Sequence, residues 1–185
     1  FSVSRGPIRD ALRILEREGL VTILARRGAI VTELSAKELR ELLEIRAGLF
    51  EIVVRKLVAQ PDEHLIALLD SGVARLEMLA ALPDAGDAYA ETTYRMLILC
   101  ARQCGNLRLQ RMLTAISLQT LRYSKLGLAS MARRQRSASL WRQATAALRA
   151  RDAERMVALA RQRIEESGEE AIAQLSHRSA QGVAP

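Results

Sequence analysis

Three arginines recur at regular intervals near the start of the sequence. Arg5, Arg9 and Arg13 stand four residues apart, which would place them on one face of an α-helix. Guanidinium groups match O6 and N7 of guanine in a major groove, and Ser4 at the helix N-terminus could contact a phosphate. The alternative is an ordinary solvated helix face on which Arg and Glu alternate.

The residues around these arginines predict the helix that would align them. Pro7 suits the first turn, where a missing N–H costs little, and Gly19 suits the end of the helix. Apolar residues at helical spacing form the opposite face: Ile8, Ala11, Leu12 and Leu15.

A hairpin is predicted directly after this helix. Residues 20–24 and 29–32 are β-prone, and residues 25–28 between them form a basic turn that includes Arg27 and Gly28. Such a tip could contact the adjacent minor groove or the DNA backbone, and glycine allows close approach. Residues 1–33 therefore predict the C-terminal part of a winged helix-turn-helix, and the turn favours DNA reading over a merely solvated face.

Residues 34–179 predict about six helices. Ser35 opens a capping box, Asn106 opens a fourth helix that runs to about Lys125, and Asp152 opens the last helix. Helices of this length with short joints indicate an antiparallel bundle. The predicted fold class is mainly α, a partial winged helix-turn-helix followed by this bundle.

The ends and the composition add few further expectations. Residues 180–185 are predicted to be a flexible tail. The 185 residues carry a formal charge of +7, which suits a polyanionic partner but does not single out DNA. No apolar run could span a bilayer and the first residues do not resemble a signal peptide, so the cytoplasm is the expected location.

Enzymatic chemistry is not predicted. The sequence shows no nucleophile and base pair, no carboxylate dyad in a recognisable motif and no glycine-rich phosphate loop. Two cysteines and two histidines are too few for a disulfide framework or a histidine-rich zinc site.

One long motif resembles a known family. Residues 3–21, VSRGPIRDALRILEREGLV, resemble the recognition-helix signature of the GntR superfamily, "VSRxPVREALRxLExEGLV", and residues 27–31 resemble its wing, "xRGxxV". The resemblance implies that Arg5 and Arg9 approach bases, while Arg13, Arg27 and Gly28 support groove or phosphate contacts. By this resemblance the sequence begins inside the reader, without the first helix and most of the second.

The remainder resembles the FCD branch of that superfamily, a six- or seven-helix domain for effector binding and dimerisation. The matching residues are Glu44-Ile45-Arg46, Gly105-Asn106 with Leu109, and Ala147-Leu148 with Asp152-Ala153-Glu154. Their order and spacing carry the resemblance more than any one of them does.

Many members of this branch bind a metal through one aspartate and three histidines. One alignment places the first two ligand positions at Glu91 and Arg95, and another places them at Thr93 and Leu97. Neither yields an Asp and His pair, so we expect the family's metal to be absent and predict no cofactor.

The other two ligand positions fall on Trp141 and Arg163, which cannot coordinate a metal. Arg46, Arg95 and Arg163 could instead form a cationic pocket with an aromatic wall from Trp141, to which Tyr94 could contribute. Such a pocket would bind a carboxylate or phosphate directly. The alternative is an internal salt bridge between Glu91 and Arg95 or Arg163.

The leading hypothesis is a homodimeric regulator whose two recognition helices meet a palindromic operator in double-stranded DNA. A small organic or sugar acid bound in the helical domain would shift the dimer between states that differ in the spacing or freedom of the two recognition helices. A helical-bundle enzyme and a ligand-independent interaction module are the alternatives.

Residues 133–136, Arg-Arg-Gln-Arg, could contact DNA backbone, although a solvated helix face is favoured.

Overall fold

The computed structural model describes residues 5–180. The chain divides into two compact units, residues 1–35 and residues 36–185. The first is a helix followed by a hairpin, and the second is built from helices.

Helix α1 (Arg5–Arg17) carries the arginine stripe and stops two residues before Gly19, the predicted helix-ending glycine. Gly19 adopts φ 70°, its N–H donates to the carbonyl of Glu16, and the N–H of Leu20 donates to that of Leu15, both at 2.9 Å. These two bonds form a Schellman motif, which satisfies carbonyls at the helix end. The predicted N-cap, Ser4, lies outside the described residues.

The hairpin pairs β1 (Val21–Leu24) with β2 (Gly28–Val31) in antiparallel register, with Leu24 opposite Gly28. Its tip is tight, since Arg26 and Gly28 both have left-handed backbones, φ 63° and 86°. Any other residue in place of Gly28 would be strained, because L-residues rarely adopt that conformation.

Between residues 36 and 180, seven helices form the second unit: α2 (Ala36–Ala59), α3 (Glu63–Ala80), α4 (Gly86–Gln103), α5 (Leu107–Gln119), α6 (Leu121–Gly127), α7 (Met131–Arg149) and α8 (Ala153–Ala180). Helix α8 packs along α2, α6 and α7, while α3 packs against α4 and α7. The core is apolar and contains Phe50, Leu69, Leu76, Leu113 and Leu148. In the part of the chain that the structure describes, no helix has the length and apolar composition needed to cross a membrane.

Side chains cap several of these helices at the predicted starts. Asn106 accepts from the N–H of Leu109 at 3.0 Å, and Asp152 accepts from that of Arg155 at 2.9 Å. Each bond satisfies a donor that has no partner within its own helix.

The predicted fourth helix is wrong in one respect, because it is divided at Thr120 into α5 and α6. The Thr120 hydroxyl donates to the carbonyl of Ile116 at 3.0 Å, and it accepts from Nη1 of Arg46 at 2.8 Å. A threonine bonded back to its own helix competes with the helical ladder. The bond from Arg46 joins this division to a residue 74 positions away, a contact that the local sequence does not reveal.

Candidate DNA-reading surface and buried cationic site

The first unit exposes the side chains predicted to contact DNA. Arg9 and Arg13 project from α1 into solvent, and Arg27 and Gly28 are exposed at the hairpin tip. Arg5 begins α1, but its side chain lies outside the described part. Helix and tip therefore offer separate basic contacts, one suited to a groove and one to the neighbouring backbone.

The carboxylate of Glu16 links helix α1 to the hairpin. Oε1 of Glu16 accepts a hydrogen bond from the backbone N–H of Ile23 in β1 at 3.1 Å. This bond satisfies a main-chain donor of the strand and fixes where the wing leaves the helix. Glu16 positions the wing and was not predicted to do so.

Two of the three buried arginines among the described residues of the second unit come from helices α2 and α8. Arg46 comes from α2 and Arg163 from α8, and their residues are only 6% and 5% exposed. The Arg163 guanidinium stacks on Trp141 of α7, with Cζ 4.0 Å from the ring centroid. This is a cation–π contact, which is strongest where water is excluded.

No carboxylate of the described residues forms a salt bridge with either arginine. Burial and the neighbouring Arg163 charge lower the pKa of Arg46 to about 9, and burial lowers that of Arg163 to about 10. Both groups therefore remain cationic at pH 7. Tyr89 and Cys100 flank Arg163, and burial raises the pKa of each to about 12, so neither supplies negative charge.

Arg46 and Arg163 both line one small cavity. Four buried polar atoms without a hydrogen-bond partner belong to residues that line it: Arg46 Nε, Thr93 Oγ1, Ser117 Oγ and Arg163 Nη2. The free space is about 20 Å³, room for about one water molecule. Proteins rarely leave buried polar groups unpaired. All four groups can donate, so the cavity suits acceptor oxygens.

Three polar residues at this site were not predicted as a group. Thr93 appeared only in one alignment, while Ser117 and Thr120 were not singled out. The available signal was the inward face of α5, where Leu109 and Leu113 continue into Ser117 and then Thr120. Polar residues that continue an apolar stripe indicate either a buried network or a ligand.

Glu91 and Arg95 do not lie at the cavity, and their predicted place there is wrong. Nη2 of Arg95 and Oε1 of Glu91 form an i,i+4 ion pair at 2.7 Å, with side chains 71% and 55% exposed. Helix α4 buries a different face, which includes Thr93 and Leu97, the positions of the second alignment. The predicted Glu91–Arg95 salt bridge is present, but on the surface, and Arg163 takes no part in it.

The residues at the cavity do not fit the metal that the resemblance implies. Thr93, Leu97, Trp141 and Arg163 occupy the positions in question, and none supplies a carboxylate or imidazole. Residues 5–180 contain no group of three His, Cys, Asp or Glu side chains that could hold a metal ion. Trp141 stacks on Arg163 but is not among the residues that line the cavity, whereas Tyr94 does line it.

The basic cluster of residues 133–136 is not a uniform solvated face. Arg134 is fully buried, and it donates to the carbonyls of Leu82, Pro83, Leu128 and Ala129. Arg133 and Arg136 both pair with Glu166, at 3.4 and 3.2 Å. Arg134 therefore joins the α3–α4 and α6–α7 loops and is not available to DNA.

Comparison with known proteins identifies both units. Residues 1–31 match the model of the gntR family of bacterial regulatory proteins, and residues 41–166 match that of the FCD domain. An HTH-type transcriptional regulator of Paraburkholderia xenovorans, BphR, is 32% identical over 178 residues, covering 90% of this chain and 70% of that protein.

Two further relatives match over shorter stretches. The regulator YdhC of Bacillus subtilis is 36% identical over 77 residues, 42% of this chain and 34% of that protein. The gluconate operon transcriptional repressor of the same species is 34% identical over 87 residues, 47% of this chain and 35% of its own length. The matched segments thus span about a third of these two curated relatives.

Solved structures share the fold. McbR/YncC of E. coli superposes with a TM-score of 0.77 at 19% identity, covering 96% of this chain and 82% of that one. A GntR family member from Pseudomonas syringae gives 0.69 at 22% identity, covering 99% and 76%.

The helix with its wing and the helical bundle together define a class, the bacterial transcription regulators with a helical C-terminal domain. The chain belongs to the gntR family, in the branch that carries an FCD domain. The family consists of regulators rather than enzymes.

Proposed function

We propose that this chain reads operator DNA through α1 and the wing, acts as a homodimer in the cytoplasm, and is controlled by a small organic acid bound between Arg46 and Arg163. The observation that carries the effector site is that two buried arginines line one cavity while neither forms a salt bridge with a carboxylate of the described residues. The exposed basic residues of a unit that matches the gntR model support the DNA contact.

The DNA contact is tested by anisotropy with a duplex selected from random sequence by the protein. Arg9→Ala is expected to lose about 1–3 kcal/mol, roughly 5- to 150-fold in affinity, and to relax preference at one base pair. Arg13→Ala should weaken binding uniformly and lower the salt slope by about 1. Arg142→Ala, on α7, is the control and should bind as the parent does.

The effector site is tested by thermal shift with a panel of organic and sugar acids, before and after dialysis against a chelator. At least one acid should stabilise the protein with or without the chelator, and Arg46→Ala and Arg163→Ala should abolish that shift. Arg95→Ala removes an exposed arginine and should retain it. If Arg46→Ala and Arg163→Ala left acid-dependent DNA release intact, the assignment of the site would be wrong.

The dimer is tested separately by sedimentation and by the operator itself. Two recognition helices on one duplex require half-sites about one helical turn apart, roughly 34 Å. A selected operator without two-fold symmetry, bound by one chain, would contradict the dimer and leave the DNA contact standing.

A further inference from the structure

The charge of the buried site restricts the ligand beyond its being an acid. We propose that the site between Arg46 and Arg163 is specific for a compact dianion, a group with two negative charges and at least three acceptor oxygens, and discriminates against monoanions. This inference rests on the proposed effector site. The shared chemistry is that of a phosphate monoester or of a closely spaced dicarboxylate.

The first step is the charge count. Arg46 and Arg163 bring two positive charges into the core, and every carboxylate nearby in sequence is engaged or exposed elsewhere. Glu91 pairs with Arg95, and Glu166 pairs with Arg133 and Arg136. Tyr89 and Cys100 are neutral at pH 7, since burial raises both pKa values to about 12.

The second step is the cost of an unbalanced charge. A buried ion without a partner is strongly destabilising, whereas a paired one with its hydrogen bonds satisfied is tolerated. A monoanion would neutralise one guanidinium and leave the other buried with its charge. A dianion neutralises both, so binding should favour it.

The third step is the number of hydrogen bonds. The four orphaned atoms, Arg46 Nε, Thr93 Oγ1, Ser117 Oγ and Arg163 Nη2, belong to residues that line the cavity, and each can donate a hydrogen bond. A phosphate monoester presents three strong acceptor oxygens and a dicarboxylate presents four. A monocarboxylate has two and would leave donors unpaired, which is costly in a dry site.

The fourth step is space. The cavity holds about one water, so the anion must displace side chains as it enters. Arg46 is held toward Thr120 by the 2.8 Å bond to its hydroxyl, at the junction of α5 and α6. An anion that enters the cavity would therefore compete with the Thr120 hydroxyl for the Arg46 guanidinium.

Trp141 provides the readout, because it is the only tryptophan of the chain and stacks under Arg163. Its fluorescence is titrated at pH 7.5 and constant ionic strength with matched probes. Methyl phosphate is compared with dimethyl phosphate, and malonate with its monoamide, so that each pair differs mainly by one charge. We expect the dianion of at least one pair to bind tenfold or more tightly than its monoanion, and that pair identifies the source chemistry.

A variant supplies an independent test. Arg46→Gln keeps hydrogen-bonding capacity but removes one charge, so the preference for the dianion should fall toward unity, while exposed Arg95→Gln should keep the parent ratio. Circular dichroism shows whether each variant folds. If a variant does not fold, the ratio of dianion to monoanion affinity in the parent protein still tests the proposal.

The outcomes separate the two proposals. If monoanions of both pairs bound as tightly as their dianions, specificity for a dianion would be overturned while the acid-binding site remained. If no acid of either charge bound, at any concentration that leaves the protein folded, both proposals would fail.

Discussion

Replacing Arg134 should destabilise the second unit more than replacing any exposed arginine would. Arg134 donates to the carbonyls of Leu82 at 2.6 Å, Pro83 at 2.9 Å and Leu128 at 3.2 Å, and to that of Ala129. In Arg134→Met, each carbonyl left dry and unpaired costs about 1–3 kcal/mol. Water reaches some of these loop carbonyls, and removing a buried charge returns part of the loss. We expect a net loss of about 3 kcal/mol in the free energy of unfolding.

Thermal and urea unfolding followed by circular dichroism would measure this loss. For a unit of this size, about 3 kcal/mol corresponds to a fall in Tm of about 6–12 °C. Arg142→Met is the matched control, since it makes the same substitution in α7 where the side chain is 65% exposed and pairs only with Glu77. Its effect should stay below about 1 kcal/mol. Equal Tm values for the two variants would refute the idea that Arg134 holds the two loops.

Two smaller predictions concern a helix end and the thiols. Arg151 has a left-handed backbone, φ 58°, at the end of α7, so Arg151→Gly should raise stability by about 0.5–1 kcal/mol in the same unfolding assay, and an unchanged or lower Tm would count against backbone strain there. Cys100 and Cys104 are both buried, and burial raises the pKa of Cys100 to about 12, so neither thiol should react with a disulfide reagent at pH 8 until the protein unfolds. Rapid reaction of either in the native state would contradict this burial.

Features that depend on neighbouring residues were predictable from the sequence. Asn106 and Asp152 cap helices because their side chains reach N–H groups three residues along, and Gly19 ends α1 because glycine accepts a positive φ. The hairpin followed from β-prone runs around a basic turn. Each of these needs only the local chain, so the pattern and the structure coincide.

Features that depend on residues far apart in the sequence were not predictable from it. The hydrogen bond that Thr120 accepts at the α5–α6 division comes from Arg46, 74 residues away. Arg134 bonds not only to the loop just before it but also to the carbonyl of Leu82, 52 residues away. Its neighbours in sequence are basic, which favoured a solvated face and concealed its burial.

The candidate site was predicted in part. Arg46, Trp141 and Arg163 come together because each lies on the inward face of its helix. Glu91 and Arg95 were assigned by an alignment that chose the wrong face of α4, a rotation by two residues from Thr93 and Leu97. Whether these residues bind a ligand remains a prediction.

The bonds of Arg134 end only on main-chain oxygens, and every residue type supplies such an oxygen. The side chains of residues 82, 83, 128 and 129 can therefore change without removing an acceptor, provided that the loops keep their course. Position 134 has no such freedom, because arginine alone combines enough donors in a planar fork. We therefore expect the two loops to tolerate substitution of their side chains, and position 134 to tolerate none.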